Sequence, residues 1–240
     1  MPDTVVSPTG NLISPAPKGR NISFICPLCT SRKTSLFVQD EFRTYQKCNP
    51  CALIFVSPSQ FLPKHEEKER YDLHRNAPES YEYRKFLSPI FQAVLKTLAP
   101  KSSGLDFGSG PGPTLSLMFE EHGHRMALYD IFYAKDPRVL TKKYDFITAS
   151  EVVEHLHKPG LEFLRLWGCL KEGGRLALMT RRPPDEEQAF SDWFYKNDPT
   201  HVCFFSQKTF TWLSKMLNAR VQFTERDVVV FQKETASQKE

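Results

Sequence analysis

Apolar positions along this chain change period twice. Ser35-Leu-Phe-Val-Gln and Arg43-Thr-Tyr-Gln-Lys alternate at period two and predict a hairpin, followed by the apolar run Ala52-Leu-Ile-Phe-Val. From Phe61 the pattern turns helical: a charged stretch, Lys64-His-Glu-Glu-Lys-Glu-Arg, precedes an apolar stripe at Ile90, Phe91, Val94, Leu95 and Leu98. Beyond it, short apolar runs alternate with helical stripes. Leu105-Asp-Phe107, Met126–Tyr129, Tyr144–Ser150 and Arg175–Thr180 read as strands. Leu115–Phe119 and the face Phe163, Leu166, Trp167 and Leu170 read as helices, closed by Gly123 and by Lys171-Glu-Gly-Gly174 respectively. Ser206 is placed to cap a helix through Phe210, Leu213 and Leu217, and Val221–Thr224 with Val228–Phe231 predicts a closing antiparallel pair. Strand-helix alternation of this kind predicts an α/β fold.

The link between the first of those strands and its helix reads GLDFGSGPG and holds Asp106, Gly108, Gly110 and Gly112 two apart. Glycines there allow a tight turn and close approach of backbone to a ligand. The dinucleotide fingerprint G-x-G-x-x-G fails, because Pro113 stands where its third glycine belongs. What remains is D-x-G-x-G-x-G. Downstream, Asp130 follows the second strand, 22 positions after Gly108, where an acidic side chain can accept hydrogen bonds from ribose hydroxyls. YDFITASEVVEHL forms a later strand and its carboxyl end, and a turn dense in aromatics, FSDWFYKNDPTHVCFFS, follows the last parallel strand.

Toward the N-terminus stand Cys26-Pro-Leu-Cys29 and Cys48-Asn-Pro-Cys51, with 18 residues between the inner cysteines. Two C-x-x-C pairs at this distance resemble a zinc ribbon, in which four thiolates hold a structural Zn2+ with no open position. A redox C-x-x-C, or a site that has lost its metal, are the alternatives. About 40 residues cannot sustain themselves on core burial, so a metal supplying roughly 10–16 kcal/mol would hold such a module together.

Together, YDLHRN, LDFGSGPGP, YDFITASEVVEHL and DPTHVCFFS resemble the class I S-adenosylmethionine (SAM) methyltransferases, specifically a bacterial group with an N-terminal four-cysteine ribbon. The resemblance spans about residues 22–232. It implies a Rossmann-like, doubly wound, mostly parallel sheet of the seven-stranded type. Only a shortened third strand fits between Asp130 and Tyr144, with Val139-Leu140 its candidate. The implied order is a flexible tail over 1–20, a zinc ribbon over 21–60, helices capping the cofactor over 61–100, the SAM-binding domain over 101–233 and a polar tail over 234–240. The implied cofactor residues are Asp106, Phe107, Gly108, Ser109, Gly110 and Gly112 in the loop, Asp130 on the ribose, and Ile131 (with Phe132) as an apolar wall. Ser150 and Glu151 are expected near the methionine end, and Tyr71 and His74 in a lid over the site. Glu154 or His155 is expected near the methyl. A general base, if the acceptor needs one, would be His201 first and His155 second, with Tyr195 orienting the acceptor.

Composition narrows the partners. Net charge is +4 and basic residues never cluster beyond pairs, which leaves a nucleic-acid acceptor open without favouring it. No run of 18 apolar residues spans a membrane, and neither a signal pattern nor a disulfide framework stands out, so the expected compartment is the cytoplasm. The expected acceptor is a small molecule or biosynthetic intermediate. An RNA or protein acceptor gripped by the ribbon is the alternative, and a non-catalytic SAM-binding scaffold the third reading.

Overall fold

A computed structural model describes residues 24–73, 76–225 and 227–235. The period-two region folds as an antiparallel meander of β1 (Thr34–Gln39), β2 (Thr44–Cys48) and β3 (Ile54–Val56). Asp40 sets the first turn by accepting the N–H groups of Phe42 and Arg43 at 2.9 and 2.7 Å. The fourth strand of this sheet comes from the other end of the chain. β8 (Cys203–Phe204) pairs antiparallel with β3, placing Ile54 opposite Phe204.

Two helices follow. α1 (Lys64–Asp72) is polar and buries only Glu67, whereas α2 (Tyr81–Leu95) buries Leu87, Ile90, Phe91 and Val94, the predicted stripe. Ser80 caps α2 by accepting the N–H of Tyr83. The main sheet contains β4 (Ser103–Phe107), β5 (Arg125–Tyr129), β6 (Tyr144–Ser150), β7 (Leu170–Met179), β9 (Ala219–Phe223) and β10 (Val228–Lys233). Their order is β5-β4-β6-β7-β10-β9, with the first four parallel and β10 antiparallel to both neighbours. Winding therefore reverses between β4 and β6, and a ligand crevice is expected beyond their carboxyl ends.

Two expectations need correction. Among the described residues the main sheet has six strands, not seven: Val139-Leu140 lies in a 3-10 turn over Pro137–Thr141, capped by Asp136. Pro137 has no N–H for a ladder, and Val139 is instead buried under Tyr144, whose hydroxyl donates to its carbonyl at 2.8 Å. The second concerns the helix expected to run through Leu170. α4 (Pro159–Cys169) stops at Cys169, and Leu170 already pairs with Tyr144 in β7. The ladder then shifts register, with Gly173 at φ +72°, before resuming at Arg175.

The sheet's two faces bury different clusters. One lies under α2 and α3 (Thr114–Glu121) and joins Leu87, Ile90, Phe91, Leu115 and Phe119 to Phe146 and Val230. The other is larger. It runs from Leu105, Ile147, Leu178 and Phe231, through α4 and α6 (Gln207–Leu217), to Phe190 of α5 (Glu187–Ser191) and on to Tyr45, Leu53 and Phe55 of the N-terminal sheet. That sheet therefore shares its core with the main one. Among the described residues no helix is long and apolar enough to cross a membrane.

Candidate functional site

The β4–α3 loop bends at Gly108 and Gly110, which hold φ of +77° and +64°, backbone that glycine adopts without strain. Space is as tight as the angles. A Cβ on Gly108 would lie 2.4 Å from Val152, and one on Gly112 would lie 1.8 Å from the carbonyl oxygen of Asn76. Asp130, at the end of β5, organises the facing loop. Its Oδ1 accepts the N–H groups of Phe132 and Tyr133 at 2.8 and 3.1 Å, and its Oδ2 accepts that of Gly110 at 3.0 Å.

Between these loops lies a cavity of about 450 Å³, of a size to hold a nucleoside-type ligand. Phe107 through Pro111, Tyr129 through Tyr133, Ser150 through Val152, and His155 and His201 line it, under a lid of Glu67, Tyr71, Asn76, Tyr83 and Phe86. Of the expected cofactor residues, Tyr71, Phe107, Gly108, Ser109, Gly110, Asp130, Ile131, Ser150 and Glu151 are thus brought to one wall or another. Asp106 and Gly112 are not. Asp106 sits behind the loop, where it accepts the hydroxyls of Thr148 and Ser116 at 3.0 and 3.1 Å, and burial pushes its pKa up to about 6. Gly112 packs under Asn76. His74 lies outside the described residues. Tyr71 donates to Glu67 at 2.9 Å and sets its ring edge-on to His155, 5.2 Å between centroids.

At the other end of the cavity the β6 terminus turns sharply. Glu151 adopts φ +52°, in the left-handed region that a non-glycine residue seldom occupies. Glu154 is fully buried, and the Tyr195 hydroxyl lies against both carboxylates, 2.9 Å from Glu151 Oε2 and closer still to Glu154 Oε1. A phenol has one hydrogen for two acceptors. Burial raises both acids against the lowering effect of the Tyr195 hydrogen bond, Glu151 to about 7 and Glu154, beside the charge of Glu151, to about 8. Tyr195 does not reach the cavity wall; its hydroxyl stands behind the acids rather than against an acceptor. His155 and His201 do reach it, with ring centroids 4.7 Å apart. The Nδ1 of His155 lies 3.1 Å from the carbonyl oxygen of Thr200, and that of His201 lies 2.7 Å from the carbonyl oxygen of Tyr195.

The segment carrying His201 is fastened by the N-terminal sheet. Buried Arg43 directs its guanidinium at the carbonyl oxygens of Lys196, Asp198, Pro199 and His201, the last at 2.8 Å. Lys196 in turn donates to Asp40 at 2.7 Å. None of this is visible in the period of the sequence. Glu67, Asn76, Tyr83, Phe86, Tyr133 and Asp198 also went unassigned, although Asn76 belongs to the YDLHRN string and Asp198 to DPTH.

The four N-terminal cysteines converge. Cys26 and Cys51 sulfurs are 3.5 Å apart and those of Cys29 and Cys48 3.4 Å, and all four lie within 4.8 Å of one another. Cys26 is drawn down to about 6 by its hydrogen bond with Cys51, while burial pushes Cys48 up to about 12. Four sulfurs this close match the edge of a tetrahedron around a metal at ~2.3 Å, so the donor set fits Zn2+.

A family model described as a methyltransferase domain matches residues 76–222, more than half of the chain, and the chain belongs to that family. No curated protein matches it. Among solved structures it is similar to Burkholderia thailandensis 1,6-didemethyltoxoflavin-N1-methyltransferase, determined with 1,6-didemethyltoxoflavin and S-adenosylhomocysteine bound. The identity is 14%, the TM-score 0.54, and the match covers 81% of this chain and 97% of the other. It is also similar to an O-methyltransferase family protein from the same organism, at 12% identity and TM-score 0.50, covering 71% of this chain and 63% of that one. The protein is an S-adenosylmethionine-dependent methyltransferase.

Proposed function

We propose that this enzyme transfers a methyl group from SAM to a small-molecule acceptor held between the β6 terminus and the 195–204 segment. SAM supplies a methyl already activated as a sulfonium, so the protein's main contribution is positioning, about 7–11 kcal/mol at best. The loop over Phe107–Gly110 cradles the methionine end, Asp130 accepts the ribose hydroxyls, and Ile131 and Phe132 wall the adenine. Tyr71 lies over the site with Ser150 and Glu151 beneath it. Asp106 supports the loop from behind, through Thr148 and Ser116.

The observation that carries the small-molecule reading is where the N-terminal basic residues go. Arg43 is buried against four carbonyls, and the Lys47 ammonium lies 4.4 Å over the Phe37 ring. Arg43 thus braces the acceptor end of the cavity from within, and of the basic residues between Cys26 and Val56 only Arg32 and Lys33 are exposed, too few for a nucleic-acid footprint. Cys26, Cys29, Cys48 and Cys51 hold one structural Zn2+ in this reading. The test is tritiated-methyl transfer from SAM into fractionated cell extract. Label in the small-molecule fraction supports the proposal; label in RNA or protein overturns the acceptor class. Calorimetry showing no SAM binding would overturn the cofactor assignment.

A further inference from the structure

Glu154, His155 and His201 come from two segments, the end of β6 and the loop before β8, yet each offers a ligand atom within 4.8 Å of the others. We propose that these three side chains form a second metal site, separate from the cysteines, which takes a divalent transition-metal cation and leaves a coordination position facing the cavity for an oxygen of the methyl acceptor. The cation claim stands on its own; the acceptor's place in it rests on the reading of the cavity as the SAM pocket.

Three observations lead there. First, Glu154 is fully buried, and its Oε2 has no hydrogen-bond partner. A buried carboxyl oxygen is normally satisfied, and a cation would satisfy it whether or not the other oxygen keeps Tyr195. Second, each histidine has its Nδ1 against a backbone carbonyl, Thr200 for His155 and Tyr195 for His201. Nδ1 then carries the hydrogen and Nε2 the lone pair, the tautomer in which Nε2 can act as a ligand. This is the outer-shell arrangement that fixes the tautomer of metal-binding histidines. Third, Glu151 Oε2 and Glu154 Oε1 converge on the Tyr195 hydroxyl, whose ring centroid lies 4.1 Å from that of His201, so a second carboxylate stands beside the three side chains.

Two imidazoles and one carboxylate form a set suited to Mn2+, Fe2+, Co2+ or Zn2+, harder than the four sulfurs. His155 and His201 line the cavity while Glu154 stands behind them, so the cation would be approached from the cavity side. An acceptor of this site is accordingly one with a hydroxyl to present. Coordination would lower that hydroxyl's pKa, as metals do for bound water, and its proton would leave to solvent through the cavity mouth.

The experiment titrates the zinc-loaded full chain with Mn2+, a probe that thiolates bind poorly, and follows free Mn2+ by electron paramagnetic resonance. The expected result is one Mn2+ bound per chain, with affinity falling by more than the roughly 10- to 100-fold typical of outer-shell changes in Glu154→Gln and in His201→Ala. Calorimetric SAM affinity should stay within a few-fold in the Glu154→Gln variant, because Glu154 stands behind the cavity wall. Co2+ added in place of Mn2+ should give d–d bands without the thiolate charge-transfer band. A wild-type chain that takes up neither ion beyond its cysteine site overturns the proposal, and so do folded variants that bind as tightly as wild type. If either variant fails to fold by circular dichroism, His155→Gln with the wild-type stoichiometry decides. Loss of SAM binding in the wild type would sink the cofactor assignment and leave the metal result standing.

Discussion

Asp130 performs two tasks at once, and substitutions separate them. Its carboxylate holds three loop N–H groups, so removing it both orphans donors and deletes the ribose acceptor. Loss of a charge-assisted hydrogen bond costs about 1.5–3 kcal/mol, so Asp130→Ala is expected to weaken SAM roughly 10- to 150-fold in calorimetry and to lower the melting midpoint as well. Asp130→Asn keeps a carbonyl oxygen for Phe132 and Tyr133 and should recover most of the stability but little of the affinity. Unchanged SAM affinity in a folded Ala variant would remove the ribose role. Asp106 gives a pH signature instead. Its pKa is raised to about 6 from 3.8, so the folded chain holds a proton that the unfolded chain releases across that window. Stability contributed at this position therefore falls as pH rises from about 4 to about 6, by at most about 3 kcal/mol, and is flat above. Asp106→Asn can still bond Thr148 and Ser116, so the difference between its denaturant midpoint and that of wild type should change across that window and nowhere above it. At this scale the sequence was informative where backbone geometry demands one residue type. Gly108 and Gly110 sit at positive φ, and D-x-G-x-G-x-G says so. It was uninformative where direction matters: nothing in FYKNDPTH tells that the Tyr195 hydroxyl points to buried acids while His201, six residues later, faces the cavity.

Among the elements, β8 decides how the two sheets communicate. It is two residues long, too short for any period to reveal, yet it ties the His201 segment to β3 and thereby to the cysteine knuckles. The Cys48 N–H bonds the Leu53 carbonyl at 2.9 Å, leading directly into β3, so the second knuckle and the brace form one continuous turn. Removing a metal from the cysteines should therefore be felt at the acceptor end of the cavity before the cofactor end. On chelation under reducing conditions, we expect methyl transfer to fall well before calorimetric SAM affinity does, with amide exchange rising first at residues 52–56 and 201–205. Parallel loss of both, or neither, would mean that the knuckles do not brace the segment. Arg43 tests the same link without touching a cysteine. Arg43→Lys keeps the charge but has no fork to reach several carbonyls, and should cost at least about 2 kcal/mol in denaturant unfolding. The hairpin holding Arg43 was legible from alternation alone; its purpose was not, because a basic residue on a strand reads as solvent-facing until the partner loop is in place.

Among the described residues, the buried side chains of the N-terminal sheet share one cluster with those of the main sheet. Tyr45, Leu53, Ile54 and Phe55 are almost wholly buried, and they pack in one cluster with Phe190, Phe204 and Phe231. Tyr45 and Phe190 meet edge to face with centroids 5.1 Å apart, and Phe190 meets Phe204 at 5.5 Å. A module read from the sequence as small and metal-held is in these contacts a layer of the main core, because β8 brings the far end of the chain beneath it. Burying an aromatic or branched aliphatic side chain contributes about 1.5–3 kcal/mol, and several such residues lie at this junction, a total comparable to the stability of an entire domain. The sheets should consequently unfold together. Calorimetry of the metal-loaded chain is expected to show a single transition with matching calorimetric and van't Hoff enthalpies. Cys48→Ser should move that transition down as a unit instead of splitting it. A chain beginning near residue 62 would bare Phe190 and Phe204, and is expected to bind a dye for exposed apolar surface and to lose near-ultraviolet dichroism while keeping its helical signal. Two separate transitions in the full chain, or a shortened chain that melts cooperatively and binds SAM as tightly as the full one, would show that the N-terminal sheet is an appendage after all.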